Sequence, residues 1–208
     1  MDAEQLRDNA LYVSGLLDMD MGGKGVKTYQ PENIWEPVGF AGSNTRFYQR
    51  DNGSALYRRS IYVFLKRTAP PPFMSNFDAP NREQFCTLRE RSNTPLQALQ
   101  LMNDLQHVEA ARVFAQRILI EGGDSPESRI QFAFRTVLAR DVSSAELVIL
   151  HNQLTDHLAR YLANPESAAK LTQLGETKPA ANQNVPELAA YTLIANTILN
   201  LDETVTRN

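Results

Sequence analysis

Five side chains suited to anion binding or proton transfer lie close together near the middle of the sequence. They are Asp78, Arg82, Arg89, Arg91 and Asn93. A guanidinium group presents a rigid fork of donors that matches a carboxylate, a sulfate or a phosphate. A carboxylate beside such a ligand can act as a general acid or base. The pattern therefore predicts a site where the arginines and Asn93 hold an anionic sugar and Asp78 is the candidate catalytic group.

The same charges also fit a purely structural role. The three arginines can pair with Glu83, Glu90 or carboxylates of the helical half, residues 93–208. Asp78 precedes Ala79-Pro80, a turn context in which an aspartate accepts backbone N–H groups. A glycosidase would need a second carboxylate at a defined distance from Asp78, and the sequence does not identify one. Both interpretations stay open, and so does the question of whether the chain is an enzyme.

The histidines and the cysteine give weaker patterns. His151 and His157 are six positions apart, which does not place them on one helical face, and His107 is remote in sequence. We therefore expect no metal site. Cys86 is the only cysteine, so it cannot form an internal disulfide. Its neighbouring arginines would favour a reactive thiolate, whereas a small buried thiol is the commoner role for a lone cysteine.

Four aromatic residues in the N-terminal half allow two interpretations. They are Trp35, Phe40, Phe47 and Tyr48. Aromatic rings on a surface can stack against sugars, and buried rings close one side of a hydrophobic core. At this density in a loop region the sequence favours the core role, with the sugar-stacking platform as the alternative.

Composition indicates one ordinary globular protein. The chain has 208 residues, 42% of them hydrophobic, and a net charge of −3. Residues 46–91 contain nine basic and four acidic side chains, so this segment is basic within an acidic protein. The segment either pairs with acidic parts of the chain or attracts anions. The acidic total disfavours nucleic acid as a partner, and no apolar run is long enough to span a membrane.

Helix signals dominate the sequence from Asn93 onward. Thr94-Pro95, Ser125-Pro126 and the capping box from Ser143 to Glu146 are typical of helix starts. These signals predict an all-α fold, a helical bundle with a long irregular, loop-rich segment in the N-terminal half. We expect a single domain over residues 1–208, with a helix and ordered loops in 1–92 and the helical bundle in 93–208.

The segment "ALYRRSIYVFLKR", residues 55–67, has two candidate structures. Tyr57, Ile61, Phe64 and Leu65 share one helical face. The β-branched and aromatic residues of "SIYVFL" instead favour a strand. We predict a helix here.

One long stretch carries a family resemblance. The sequence "ALYRRSIYVFLKRTAPPPFMSNFDAPNREQFCTLRERSNTPLQALQLMND" resembles a planctomycete-type C-terminal domain, domain of unknown function 1553. The stretches "DAEQLRDNALYVSGLL" and "ELAAYTLIANTILNLDETVTRN" extend the resemblance toward both ends. The family has no assigned activity.

The resemblance implies a setting for the chain. Family members lie downstream of a cytochrome-c-like domain and a second uncharacterised domain in exported bacterial proteins. We therefore expect a C-terminal fragment of a longer chain, periplasmic or otherwise exported, that packs against its upstream domains. Any haem would sit upstream, because this chain has no haem motif. The alternative is a carbohydrate- or anion-processing enzyme built on Asp78 and the loop arginines, with an anionic carbohydrate as a further candidate partner.

Overall fold

A computed structural model describes residues 1–206, which contain nine α-helices and no β-strand. The helices are α1 (Ala3–Ser14), α2 (Pro72–Asn76), α3 (Pro95–Asn103), α4 (Leu105–Glu121), α5 (Pro126–Leu138), α6 (Ser144–Ala163), α7 (Pro165–Thr172), α8 (Val185–Leu199) and α9 (Asp202–Val205). Most of the chain between α1 and α3 is irregular. The predicted all-α class with a loop-rich N-terminal half is confirmed. None of the helices in the described range is long and apolar enough to cross a membrane.

The chain divides into two compact units. Unit 1 comprises Met1–Asn9 and Leu17–Gln100, and unit 2 comprises Ala10–Leu16 and the chain from Leu101 onward. All five residues of the predicted site belong to unit 1, and the helices from α4 onward belong to unit 2. That the whole chain forms a single domain stays a prediction.

Helix α8 lies at the centre of unit 2, where α4, α6 and α7 pack against it. All of its residues are buried or half-buried, and its sequence lacks the polar stripe of a surface helix. The spacing of apolar residues on α4 and α5 predicts ten that point inward. Seven of them are buried, namely Val108, Ala111, Ala115, Ile118, Ile130, Ala133 and Phe134, and three are half-buried against the core, namely Leu119, Val137 and Leu138. The periodicity of these helices therefore predicted their packing faces correctly.

Side-chain caps fix where two of these helices begin. The Oγ of Ser143 accepts the Glu146 N–H at 3.3 Å, and Oε2 of Glu146 accepts the Ser143 N–H at 2.8 Å. This reciprocal pair is the predicted capping box. Asp104 caps α4 by accepting the N–H groups of Gln106 and His107 at 3.0 and 3.2 Å. Because such caps depend on a few adjacent residues, they can be recognised in the sequence.

The predicted helix over residues 55–67 is wrong. The segment forms two short 3-10 turns, Gly53–Tyr57 and Ser60–Tyr62, before it pairs with the chain at Val26. The Val26 N–H donates to the Tyr62 carbonyl at 2.7 Å. The segment is thus extended at one end and tightly turned at the other.

A buried arginine on α1 accounts for this difference. The guanidinium of Arg7 donates to the carbonyls of Leu56 and Arg58 at 2.8 and 2.9 Å. It also donates to the Ser60 hydroxyl at 3.1 Å, and the Asp8 carboxylate accepts the Ser60 N–H at 2.8 Å. These backbone groups would otherwise form the hydrogen-bond ladder of a helix. Tertiary partners therefore override the local helical pattern.

The four aromatic residues of the N-terminal half separate into two pairs. Trp35 is fully buried, and the rings of Tyr48 and Phe64 lie 4.8 and 5.5 Å from its ring, centroid to centroid. Tyr48 is half-buried, and burial raises the pKa of its hydroxyl. Phe40 and Phe47 are exposed. The core interpretation therefore fits Trp35 and Tyr48 only.

Candidate functional site

Asp78 ties together two parts of the predicted site segment. Its Oδ2 accepts both the N–H of Ser92 at 2.6 Å and the Ser92 hydroxyl at 2.7 Å. The Nε2 of Gln97 donates to the Ser92 Oγ at 2.9 Å and to the Asn76 carbonyl at 2.8 Å. Asp78 itself has a φ of 57°, a left-handed conformation that aspartate tolerates better than most residues. The carboxylate thus closes the loop between α2 and α3.

A second side chain of this loop, that of Arg89, pairs with a carboxylate on α1. Its Nη1 lies 2.7 Å from Oε2 of Glu4, and its Nη2 lies 3.2 Å from Oε1 of the same carboxylate. The same Nη1 lies 3.6 Å from Oδ2 of Asp2, which is a second acidic neighbour. The hydrogen bonds that Arg89 donates to Glu4 raise the pKa of the Arg89 guanidinium above its ordinary value. This fork-to-fork geometry is the strongest form of an arginine–carboxylate pair.

Arg91 makes a looser pair with the same helix end. Its Nη2 lies 3.3 Å from Oδ1 of Asp2, and its side chain is 64% exposed. The ion pairs of Arg89 and Arg91 therefore join the loop to the start of α1. The sequence indicated such pairs but not these partners, because Asp2 and Glu4 are remote from the loop along the chain.

Arg82 and Asn93 do not join this network. Both are exposed, and neither side chain has a partner within residues 1–206. Arg82 also has a left-handed backbone, with a φ of 64°. The structure thus brings Asp78, Arg89 and Arg91 together and leaves the other two predicted ligand residues outside.

A small cleft borders the three residues that meet. Its volume is about 30 Å³, and it is lined by Met1, Asp2, Phe77, Asp78, Arg89, Glu90, Arg91, Ser92 and Gln97. Pockets for small-molecule ligands usually enclose several hundred cubic ångströms. The cleft has room for water and not for a sugar ring.

The start of α3, beside this cleft, is capped by the side chains of Thr94 and Gln97. The Thr94 Oγ1 accepts the Gln97 N–H at 3.3 Å, and the Gln97 Oε1 accepts the Thr94 N–H at 3.0 Å. This capping box satisfies donors that an anion at the helix end would otherwise bind. The predicted cap at Thr94-Pro95 is confirmed.

Cys86 and the histidines add no chemistry to this site. Cys86 is exposed, with its Sγ 3.4 Å from the Leu88 carbonyl. His107 belongs to unit 2, where its Nδ1 lies 3.2 Å from Oδ1 of Asp104. Over the described part of the chain no three histidine, cysteine or acidic side chains are arranged to hold a metal ion.

The sequence interpretation missed a buried ionic network in unit 2. Glu109 and Arg112 on α4 are both fully buried, and Oε1 of Glu109 lies 3.9 Å from Nη2 of Arg112. The Oε1 of Glu109 accepts the N–H and the hydroxyl of Thr177, each at 2.8 Å. Arg112 donates to the Thr177 carbonyl at 2.8 Å. The network fastens the loop between α7 and α8 onto α4. Its sequence signal was a pair of opposite charges three positions apart on a predicted helix.

Comparison with known proteins gives one match. A family model described as "PSD1: Protein of unknown function (DUF1553)" matches residues 1–154. No curated protein and no solved structure matches the chain. The matched range includes every residue of the predicted site, whereas the stretch "ELAAYTLIANTILNLDETVTRN" lies beyond it, and its last two residues lie outside the described range.

Proposed function

Given that the chain belongs to the DUF1553 family of proteins of unknown function, we propose that it is a helical structural and interaction domain of an exported bacterial multi-domain protein. Its partners would be the upstream domains of the same polypeptide, one of them cytochrome-c-like and carrying any haem. The exported setting and the upstream domains follow from the family resemblance alone.

The observation that carries the structural part of this proposal is the pairing of Arg89 with Glu4. A ligand-binding arginine keeps its donors available to the ligand, whereas both terminal nitrogens of Arg89 already face a carboxylate. The same holds for Asp78, whose Oδ2 accepts two hydrogen bonds from Ser92. The side chains best suited to chemistry are therefore used to shape the loop.

The association with upstream domains can be tested by separating the pieces. This chain and the upstream part of its polypeptide are expressed as two proteins, and binding is measured by isothermal titration calorimetry. We expect a stoichiometric complex. If the pieces do not associate and this chain alone hydrolyses an acidic polysaccharide in a reducing-end assay, the proposal fails.

A second candidate function is processing of an anionic carbohydrate by Asp78. The observation in its favour is the left-handed backbone at both Asp78 and Arg82, since strained residues cluster at active sites. Here Asp78 would be the acid or base and Arg82, which lies exposed, would contact the ligand. An Asp78→Asn variant should then lose all turnover, while an Arg67→Gln variant, which removes a charge elsewhere in unit 1, should keep it.

A further inference from the structure

We propose that a surface of unit 1, formed by the exposed rings of Phe40 and Phe47 and the half-buried Arg46, binds an acidic polysaccharide. We call this surface the aromatic platform. None of its three residues lines the cleft beside Asp78. The proposal does not depend on the interaction role proposed above.

Two turns and one close contact bring the platform residues together. The Ser43 N–H donates to the Phe40 carbonyl at 3.0 Å, and the Arg46 N–H donates to the Ser43 carbonyl at 3.2 Å. Gly39 lies so close to Arg46 that a Cβ on the glycine would be 2.8 Å from the Arg46 Cα. Phe40 directly follows Gly39 in the sequence, and Phe47 directly follows Arg46. The backbones of Phe40 and Phe47 are therefore neighbours although the two residues are seven positions apart in the sequence.

The platform exposes apolar rings that the core does not use. Phe40 is 83% exposed and Phe47 is 54% exposed, whereas Trp35 nearby in sequence is fully buried. An aromatic ring in water gains stability when another apolar face covers it. Two such rings on neighbouring backbone segments form a candidate contact surface.

Arg46 gives this surface a charge without an internal counter-ion. Its guanidinium carbon lies 5.2 Å from the centroid of the Phe47 ring, within cation–π range. No carboxylate in the described range pairs with it, and the sequence has no acidic residue between Glu36 and Asp51. Its Nε is shielded from solvent and has no hydrogen-bond partner within residues 1–206. An anionic ligand would supply the counter-ion that the Arg46 guanidinium lacks.

The residues on either side of Arg46 and Phe47 are held in place. Lys66 donates from its Nζ to the Thr45 carbonyl at 2.7 Å, and the same Nζ lies 4.9 Å from the Trp35 ring centroid. On the other side, the Tyr48 hydroxyl donates to the Thr28 carbonyl. A surface fixed before binding loses little conformational entropy when the ligand arrives.

An acidic polysaccharide fits these features best. A pyranose ring has a flat face of C–H groups that can cover an aromatic ring, and its carboxylate or sulfate can accept two hydrogen bonds from a guanidinium. A polymer also suits an open surface, which has no pocket walls. Nucleic-acid binding depends on neutralising many phosphates, and the platform has a single arginine in a chain of net charge −3.

The test is direct binding of the purified chain to polygalacturonate and to dextran sulfate, with uncharged dextran and a (dT)20 oligonucleotide as comparisons. We expect saturable binding to at least one acidic polysaccharide and none to dextran. The double variant Phe40→Ala/Phe47→Ala and the variant Arg46→Gln should each raise Kd at least tenfold. Because Phe40 and Phe47 are exposed, the double variant should keep the thermal unfolding midpoint of the wild type.

Two matched controls remove the same side chains elsewhere in unit 1. Phe85→Ala truncates a fully exposed phenylalanine outside the platform, and Arg67→Gln removes an exposed arginine outside the platform. Both should leave Kd within twofold of the wild type. The proposal is overturned if neither acidic polysaccharide binds, if the platform variants bind as the wild type does, or if (dT)20 is the ligand whose binding requires the platform.

Discussion

Arg89 and Glu4 form a two-point ion pair, in which Nη1 and Nη2 of the arginine lie 2.7 and 3.2 Å from the two oxygens of one carboxylate. The arginine lies in the loop before α3, and the glutamate lies in the first turn of α1. A carboxylate in the first turn of a helix also interacts favourably with the positive end of the helix dipole. The pair therefore joins the loop before α3 to the first turn of α1.

This pair predicts a measurable coupling energy. Single variants Arg89→Gln and Glu4→Gln should each lower the free energy of unfolding, and the double variant should lower it by less than the sum. Since the Arg89 side chain is about a third exposed, we expect a coupling of about 1 kcal/mol, at the upper end for surface pairs. Urea unfolding of the four proteins measures it.

The variant Arg89→Lys serves as the control for geometry. Lysine keeps the charge but lacks the planar fork, so it should recover less than the full coupling. A coupling energy of zero in the cycle would contradict the structural role of Arg89.

Asp78 should be needed for stability through its hydrogen bonds to Ser92. The variant Asp78→Ala removes the acceptor and places alanine at a φ of 57°, so we expect a loss of about 2 kcal/mol in unfolding free energy. Asp78→Asn keeps an acceptor and a residue that tolerates this conformation, so its loss should be smaller. Equal losses in the two variants, measured by urea unfolding, would contradict this account.

The buried pair of unit 2 should be the most sensitive to substitution. Glu109→Ala leaves Arg112 buried without its carboxylate neighbour, and we expect a loss of about 3–5 kcal/mol in unfolding free energy. Replacing both residues together by Leu and Met should cost less than Glu109→Ala alone. Thermal and urea unfolding measure the loss of stability in both variants. If the double variant loses as much stability as Glu109→Ala, the loss does not come from leaving a buried charge unpaired.

The loss of folding stability at acid pH should come partly from Glu146. Hydrogen bonds from Arg140, and then from Ser143, lower the pKa of the Glu146 carboxyl from 4.5 to about 2. A carboxyl whose pKa is lower in the folded state stabilises the fold above its unfolded pKa, and this stabilisation is lost as the pH falls toward the folded pKa. The stability difference between wild type and Glu146→Gln should therefore be constant above pH 4.5 and narrow between 4.5 and about 2.

This pH dependence can be followed by urea unfolding at a series of pH values. Glu166→Gln is a suitable control, because the Glu166 side chain is 79% exposed and its one ion pair within residues 1–206 is with Lys170 on the same helix. A difference that stays constant throughout the acid range would contradict the role given to Glu146.

The helices of unit 2 could be predicted because their signals are local. The Ser143 capping box and the apolar period of α4 each lie within a few turns of chain. Residues 55–67 could not be predicted this way, since their backbone groups bond to Arg7 and Asp8 across about fifty positions of sequence. Local propensity cannot anticipate partners that only the tertiary fold brings near.

The candidate site shows the same limit in a different form. Composition indicated that the loop arginines could pair with carboxylates, but it could not identify Glu4 as the partner of Arg89. Nor could it distinguish Trp35, which fills the core, from Phe40, which stays exposed. Glu109 was missed because a charged residue on a helix is expected at the surface, and its burial depends on partners such as Thr177 that are remote in sequence.

Hydrogen exchange at the Ser92 amide tests the central claim most directly. This amide donates to Asp78 in a loop otherwise held by the Arg89–Glu4 pair. We expect the amide to be protected in the wild type, several-fold less protected in Arg89→Gln, and unchanged in Arg82→Gln, whose side chain is exposed. Exchange at the unprotected rate in the wild type, or equal protection in wild type and Arg89→Gln, would contradict the claim that these side chains serve the architecture of the loop.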